Sequence, residues 1–359
     1  MICERTIYLP KPGRLAAVLA LRHRACAVRR DIGLPGGEVL VERTTPERVH
    51  WQCRFASPAA QADDMAQRDG SAAFRAVRAE MQDLVDGFER QVLAPDSSPD
   101  AVLRPVALDG VDIVPEEIEI AAGELTLKGY LYRPPGTGPH GAMVINHGSG
   151  IFQGTTEVCR PGVATFLMSQ GLAALLPHRR GYGNSPGRPW REDVSADYGT
   201  ETYDAQLSAR LQAEAEDVVA ALACLEGRDD IDAGHIGVMG SSFGGTVTLL
   251  AAAACGRFRC AVEFAGAAMN WERAPGLRAV MHAAAGRLTQ PIFLVQAAND
   301  YSTAPTPALA ETARAAGVPG VEARIYPGFG LTRDEGHFFY KEGPMVWGSD
   351  VARFLERWL

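Results

Sequence analysis

No stretch of this 359-residue sequence is apolar for long enough to cross a bilayer. The longest such run, Thr246 to Cys255, falls far short of the ~20 residues a spanning helix needs. No signal peptide is readable either, because Glu4, Arg5, Lys11 and Arg14 interrupt any apolar run at the start. There is no disulfide framework. Seven cysteines (Cys3, Cys26, Cys53, Cys159, Cys224, Cys255, Cys260), odd in number and mostly inside apolar stretches, read as reduced core residues of a cytoplasmic protein. Nor is there a basic excess: 35 Lys and Arg against 43 Asp and Glu leave a net charge of −8, which argues against nucleic acid as a partner. Repeats and low-complexity tracts are absent. With 47% hydrophobic and 22% charged residues, a disordered chain is excluded. At ~150 residues per domain, the length suggests about two domains.

The charge divides the chain. Residues 1–110 carry 15 basic and 15 acidic side chains, so the remainder carries 35 − 15 = 20 and 43 − 15 = 28, the whole excess. A Pro, Ser and Asp cluster from Pro95 to Asp100 reads as a linker, and we set the bounds at 1–95, a linker at 96–110, and 111–359. In the first part, Ile2 to Leu9, Val39 to Val41, Val49 to Phe55 and Phe88 to Leu93 read as strands. Leu15 to Val28 and Ala72 to Val85 read as helices. That βαββαβ order is the ferredoxin-like motif, a small α+β domain. Val49, Trp51, Cys53 and Phe55 form one apolar sheet face, and Ile2, Glu4, Thr6 and Tyr8 a mixed one. An exposed face of this kind points to homodimer formation through the N-terminal domain. From Val111 onward an antiparallel pair (Glu117 to Ala121, Leu125 to Tyr132) precedes short apolar strands alternating with helices. This is an α/β pattern with a mostly parallel sheet covered on both faces.

One motif carries chemistry. Ile236-Gly237-Val238-Met239-Gly240-Ser241-Ser242-Phe243-Gly244-Gly245 is a buried strand running into Gly-x-Ser-x-Gly and then a helix. A nucleophilic serine on a sharp strand-to-helix turn needs neighbours without bulk two residues before and after it. Ser242 is the serine in frame, since Ser241 would need glycine at Met239. The acid and histidine should follow in that order. Asp300 lies in the loop leaving the strand Ile292 to Gln296, and His337 is the one histidine after both. A loop-capping role for Asp300, with Glu263 as the acid, is the competing assignment. The oxyanion would be held by the Phe243 N–H at the start of the helix and by the Ser149 N–H in His147-Gly148-Ser149-Gly150, with Gly148 adjacent.

These residues, with Arg179-Arg180-Gly181-Tyr182-Gly183 and Gly336-His337, resemble the α/β-hydrolase superfamily over residues 111–359, and within it the dienelactone-hydrolase-like branch. Ser242 stands where that branch's namesakes carry cysteine, so a general carboxylesterase or lactonase is implied in place of dienelactone itself. Residues 1–95 resemble a NIPSNAP-like dimeric α/β-barrel domain through Met1 to Tyr8 and Lys11 to Leu15, which implies sheet pairing between chains.

Ile151, Phe152, Met269, Trp271, Tyr301 and Phe338 fall just after strand ends and are candidate walls of a substrate pocket. Gly181 to Gly187 lacks the Lys-Ser/Thr of a phosphate loop, and Cys255 and Cys260 have no histidine partners for zinc. No cofactor, metal, nucleic acid or membrane is therefore invoked, and the partner is a small ester or lactone. A prolyl-oligopeptidase-like peptidase or amidase and a non-catalytic binding or scaffold protein are the rival readings. Gly266 to Gln290 leaves room for about one helix, so a large cap over the site is not expected.

Overall fold

The computed structural model describes residues 2–42, 48–93, 103–150 and 161–359. The chain divides into two compact units, Met1–Ala101 and Val102–Leu359.

In the first unit the order is β1 (Ile2–Pro10), α1 (Leu15–Asp31), β2 (Glu38–Val41), β3 (Val49–Phe55), α2 (Pro58–Gly70), α3 (Ala72–Leu84) and β4 (Val85–Leu93). The sheet is antiparallel with strand order β2-β3-β1-β4, the order a ferredoxin-like unit requires. Helix α2 departs from the expected six elements. Its Met65 is its only large apolar residue, and its buried side chains are Asp64 and Arg68, so it has no apolar period to read. The side chains of Ser57 and Ser71 cap α2 and α3 by accepting from Ala60 and Phe74 N–H groups. A second correction concerns the apolar face. Val49, Trp51, Cys53 and Phe55 are buried, and Val49 packs with Val18, Leu21, Phe74 and Val77 of the helices. That face is the unit's core and not an exposed surface.

The second unit contains an eight-stranded sheet. Its elements are β5 (Glu116–Ala122), β6 (Leu125–Tyr132), β7 (His140–Asn146), α4 (Pro161–Ser169), β8 (Ala173–Pro177), α5 (Trp190–Asp193), α6 (Glu201–Glu226), β9 (Ile231–Ser241), α7 (Phe243–Ala254), β10 (Ala261–Phe264), α8 (Pro275–Ala285), β11 (Ile292–Ala297), α9 (Pro305–Ala315), β12 (Val321–Tyr326), α10 (Arg333–His337), α11 (Phe339–Glu342) and α12 (Pro344–Trp358). The strand order is β12-β11-β10-β9-β7-β8-β6-β5. β5 and β6 form an antiparallel hairpin and β6 pairs antiparallel with β8; the remaining pairs are parallel. The order in which successive strands are laid down reverses at β7, which is flanked by β8 on one side and β9 on the other, both parallel to it, and ligands of open α/β sheets bind outside the strand ends at such a switch.

Alternation builds two cores. Val144, Val238, Ala261 and Ile292 face a layer that includes α6, α7 and α8, where Leu211, Val218, Val247 and Leu277 are buried. Met143, Ile145, Met239 and Val262 face the opposite layer of α4 and α12, around Leu167, Trp347 and Phe354. Part of the expected linker belongs to this unit. Residues 96–102 lie outside the described residues, but Leu103 and Leu108 pack on the second core. The Arg104 and Val106 N–H groups donate to the Gln170 and Ser169 carbonyls. Between β10 and β11 the chain makes a turn and one helix, α8.

Candidate active site

Strand β9 delivers Ser242 to the end of the parallel sheet. Its last residues before the turn, Val238, Met239 and Gly240, are buried, and Ser242 itself adopts φ 59° and ψ −124°. A non-glycine residue with positive φ costs about 1–3 kcal/mol and persists only where its surroundings enforce it. They do so here. A Cβ on Gly244 would run into the main-chain carbonyls of Asn146 and His147, and one on Gly240 would meet the Gly244 carbonyl and Asn146 Cβ. The Ser242 N–H donates to the Phe264 carbonyl at 3.0 Å, and its own carbonyl accepts from Thr246 N–H at 3.0 Å to start α7. Two glycines thus let β9 and α7 close on β7 with the hydroxyl at the apex.

The loop leaving β11 carries Asp300 and the loop leaving β12 carries His337 on α10. The structure brings both to Ser242: His337 Nε2 is 2.9 Å from Ser242 Oγ, and His337 Nδ1 is 2.8 Å from Asp300 Oδ1. With Nδ1–H donating to the carboxylate, Nε2 is left as an acceptor for the serine hydroxyl. Asp300 and His337 are both buried, 6% and 7% exposed, so water competes little for this line. The Tyr301 N–H (2.6 Å) and the Gln296 side-chain amide (2.9 Å) also donate to the Asp300 carboxylate. Gln296 is in turn fixed by donation to the Ser302 carbonyl and acceptance from the Thr306 hydroxyl. Sequence reading missed Gln296, although a lone amide closing the apolar run Ile292 to Val295 was a usable signal.

Asn299 ties the histidine loop down. Its amide donates to the Phe329 and Thr332 carbonyls and its oxygen accepts from Phe329 N–H. Glu335 forms a capping box with Thr332 at the start of α10, and Asp334 accepts from the Tyr301 hydroxyl.

Phe243 opens α7, where the first-turn N–H groups have no intrahelical acceptor. A Cβ on Gly148 would lie 3.4 Å from Ser242 Cβ and 3.9 Å from its Oγ, so the loop after β7 passes beside the nucleophile at Gly148; Ser149 follows and is exposed. His147 holds this loop: Nδ1 donates to the Gly148 carbonyl at 2.7 Å, and Nε2 accepts from Arg179 N–H at 3.3 Å. The fully buried Arg179 donates to the His147 carbonyl and pairs with Glu214 at 2.7 Å, while Arg180 pairs with Asp217. Both arginines are therefore committed to shaping the loops.

Glu263, the competing acid, sits elsewhere. It lies at the end of β10, accepts from Gly266 N–H, and has its second oxygen buried without a hydrogen-bond partner among the described residues. Burial pushes its carboxyl up to about 8, with the Asp300 charge adding to the effect.

The pocket candidates scatter. Ile151 and Phe152 lie outside the described residues. Tyr301 and Phe338 flank His337, with ring centroids 5.6 and 6.3 Å away, and Phe338 and Met269 are about half exposed. Trp271 is different: its ring is buried and packs on His282 at 5.5 Å, because α8 folds over it, so it belongs to the core. Trp190, unmarked by the sequence reading, packs 5.7 Å from Phe243.

The sequence profile of the prolyl oligopeptidase family matches residues 161–276. Among curated proteins, the acyltransferase drtE of Aspergillus calidoustus is 30% identical over 148 residues, covering 41% of each chain. Dipeptidyl-peptidase 5 of Porphyromonas endodontalis is 25% identical over 223 residues, covering 54% of this chain and 29% of its own. This chain thus spans less than half the length of either relative. Among solved structures, the esterase Pf2001 of Pyrococcus furiosus superposes with a TM-score of 0.50 at 18% identity, covering 72% of this chain and 99% of that one. The large unit has the α/β-hydrolase fold. No helix among the described residues is long and apolar enough to cross a membrane.

Proposed function

We propose that the chain is a serine hydrolase that cleaves carboxylic esters or lactones through an acyl-enzyme. The reading rests on one observation: a strained Ser242, His337 and Asp300 linked by hydrogen bonds of 2.9 and 2.8 Å at the switch of a parallel sheet. In the proposed sequence Ser242 Oγ attacks the acyl carbon while its proton passes to His337 Nε2. Asp300 holds the imidazole and stabilises its cation. The oxyanion is bound by the Phe243 N–H and by a donor of the Gly148-Ser149 turn. Collapse of the tetrahedral intermediate expels the alkoxide, which takes the proton from His337. Water, deprotonated by the same imidazole, then releases the acid and restores Ser242.

Two further readings have specific support. The prolyl oligopeptidase match favours an aminoacyl amide as substrate, and likeness to an acyltransferase favours an acceptor other than water in the second half. The cysteine-to-serine difference from dienelactone hydrolases favours simple esters and lactones, which we place first. A screen of p-nitrophenyl esters, lactones and aminoacyl p-nitroanilides, each with and without an added alcohol acceptor, tests the order. Turnover of esters or lactones above the anilides is expected. Anilide cleavage alone would assign the peptidase, and product only with an acceptor would assign the transferase.

A further inference from the structure

The N-terminal unit has a cavity of its own, about 350 Å³ and open to solvent on one side, between strands β1, β3 and β4 and helices α1, α2 and α3. Its charge is one-sided. Arg22, Arg29, Arg68, Arg78 and Arg90 line it, against Asp69 alone among the acids. Four of these guanidinium groups are answered from nearby. Arg29 makes a two-pronged pair with Asp64 at 3.1 and 2.6 Å, and Arg68 pairs with Asp64 at 2.8 Å and Glu4 at 3.3 Å. Arg90 reaches Glu4 at 3.5 Å, and Arg78 pairs with Asp69 at 2.6 Å. Three carboxylates therefore serve four arginines.

Arg22 has no carboxylate partner among the described residues. It is 4% exposed, and its Nε is buried without a hydrogen-bond partner among them. One Nη donates to the Tyr8 hydroxyl at 3.3 Å, the other approaches Cys26 Sγ at 3.8 Å, and the guanidinium stacks 5.0 Å from the Trp51 ring. Sulfur, a phenol and an indole face do not neutralise a buried cation, and leaving one unpaired is strongly unfavourable. Apart from Thr6, Gln82 and the Tyr8 hydroxyl, the remaining lining is apolar, with Phe74, Val77, Met81 and Val85 along one wall beside Trp51.

We propose that this cavity binds a small amphipathic monocarboxylate, with its carboxylate on Arg22 and its apolar body against Phe74, Val77 and Met81. Inorganic phosphate would answer the charge and leave the apolar wall unfilled. A neutral ligand would fill the wall and leave Arg22 unanswered. The volume lies near the lower end of the range of ~300–1,000 Å³ typical of ligand pockets, which suits an aryl or short-chain acid.

Calorimetric titration of the full-length chain carrying Ser242→Ala with 4-phenylbutyrate tests this, because the serine of the other unit is then removed from the measurement. One acid per chain is expected to bind, at least tenfold tighter than 4-phenylbutyramide and than phosphate. Arg22→Met, which keeps the stem and deletes the charge, is expected to weaken the acid at least tenfold and leave ester turnover in the Ser242 background unchanged. Val77→Trp, which fills the cavity, provides the second variant should Arg22→Met fail to fold, and is expected to abolish binding. Equal affinity for the amide, phosphate bound as tightly as the acid, or binding that survives both variants would overturn the proposal. So would an acid that binds only when Ser242 is intact and is displaced by its phosphonylation.

Discussion

Ser242 Oγ and His337 Nε2 face each other at 2.9 Å, and the chemistry proposed depends on that contact. Ser242→Ala removes the nucleophile and is expected to lower ester kcat by roughly 10³–10⁶-fold with an unchanged melting temperature, measured with p-nitrophenyl acetate. Asp300→Asn keeps the shape of the side chain but presents an amide to His337 Nδ1, favouring the wrong tautomer. A fall in kcat of about 10⁴-fold is expected, and a loss of less than tenfold would move the acid elsewhere. Glu263 carries a different expectation. Its carboxyl is held up to about 8 in the folded chain against 4.5 for an ordinary glutamate, so the folded state binds the extra proton between those values. Stability contributed by the protonated group is then lost as pH rises through this window and levels off above about 8. Glu263→Gln has nothing to titrate there. Melting curves at pH 5 and pH 8.5 should show the natural chain losing a few °C more than the variant, by the usual relation of stability to melting temperature. Parallel shifts would mean that Glu263 is ionised throughout.

At the level of elements, the strand–turn–helix of β9 and α7 was legible because its constraints are local. Gly240 and Gly244 are dictated by backbone clearance, and clearance shows as glycine in the sequence. Gly244→Val should cost about 1–3 kcal/mol or disrupt the elbow outright, read as a lowered melting temperature with lost phosphonylation. The parallel strands were legible for a similar reason: burial on both faces leaves continuous apolar runs such as Met143 to Ile145 and Ile292 to Val295. What the sequence hid were elements and contacts made by polar groups. Helix α2 contributes buried Asp64 and Arg68 to its neighbours, so no apolar stripe announces it. Gln296, Asn299 and the Arg179–Glu214 pair act through partners 4 to 35 residues away in sequence, contacts that leave no hydrophobic pattern to read. The face of Val49, Trp51, Cys53 and Phe55 misled because alternation tells which residues share a side and not what covers it.

For the whole molecule, we propose a homodimer formed through the N-terminal units. The edge strands favour it: Leu40 and Val41 of β2 and Phe88, Val92 and Leu93 of β4 stay substantially exposed. Sedimentation velocity should give a dimer for the full chain and a monomer for a shortened chain beginning at Val102; a shortened chain that stays dimeric would place the interface in the hydrolase-fold unit. The central claim, that Ser242 is an acylated nucleophile, meets its most direct test in labelling with a fluorophosphonate followed by peptide mass spectrometry. The expected result is one adduct per chain on Ser242, absent from Ser242→Ala and formed in step with loss of p-nitrophenyl acetate turnover. No adduct, or an adduct on another residue in a Ser242→Ala chain that keeps more than about a tenth of the kcat, would contradict it.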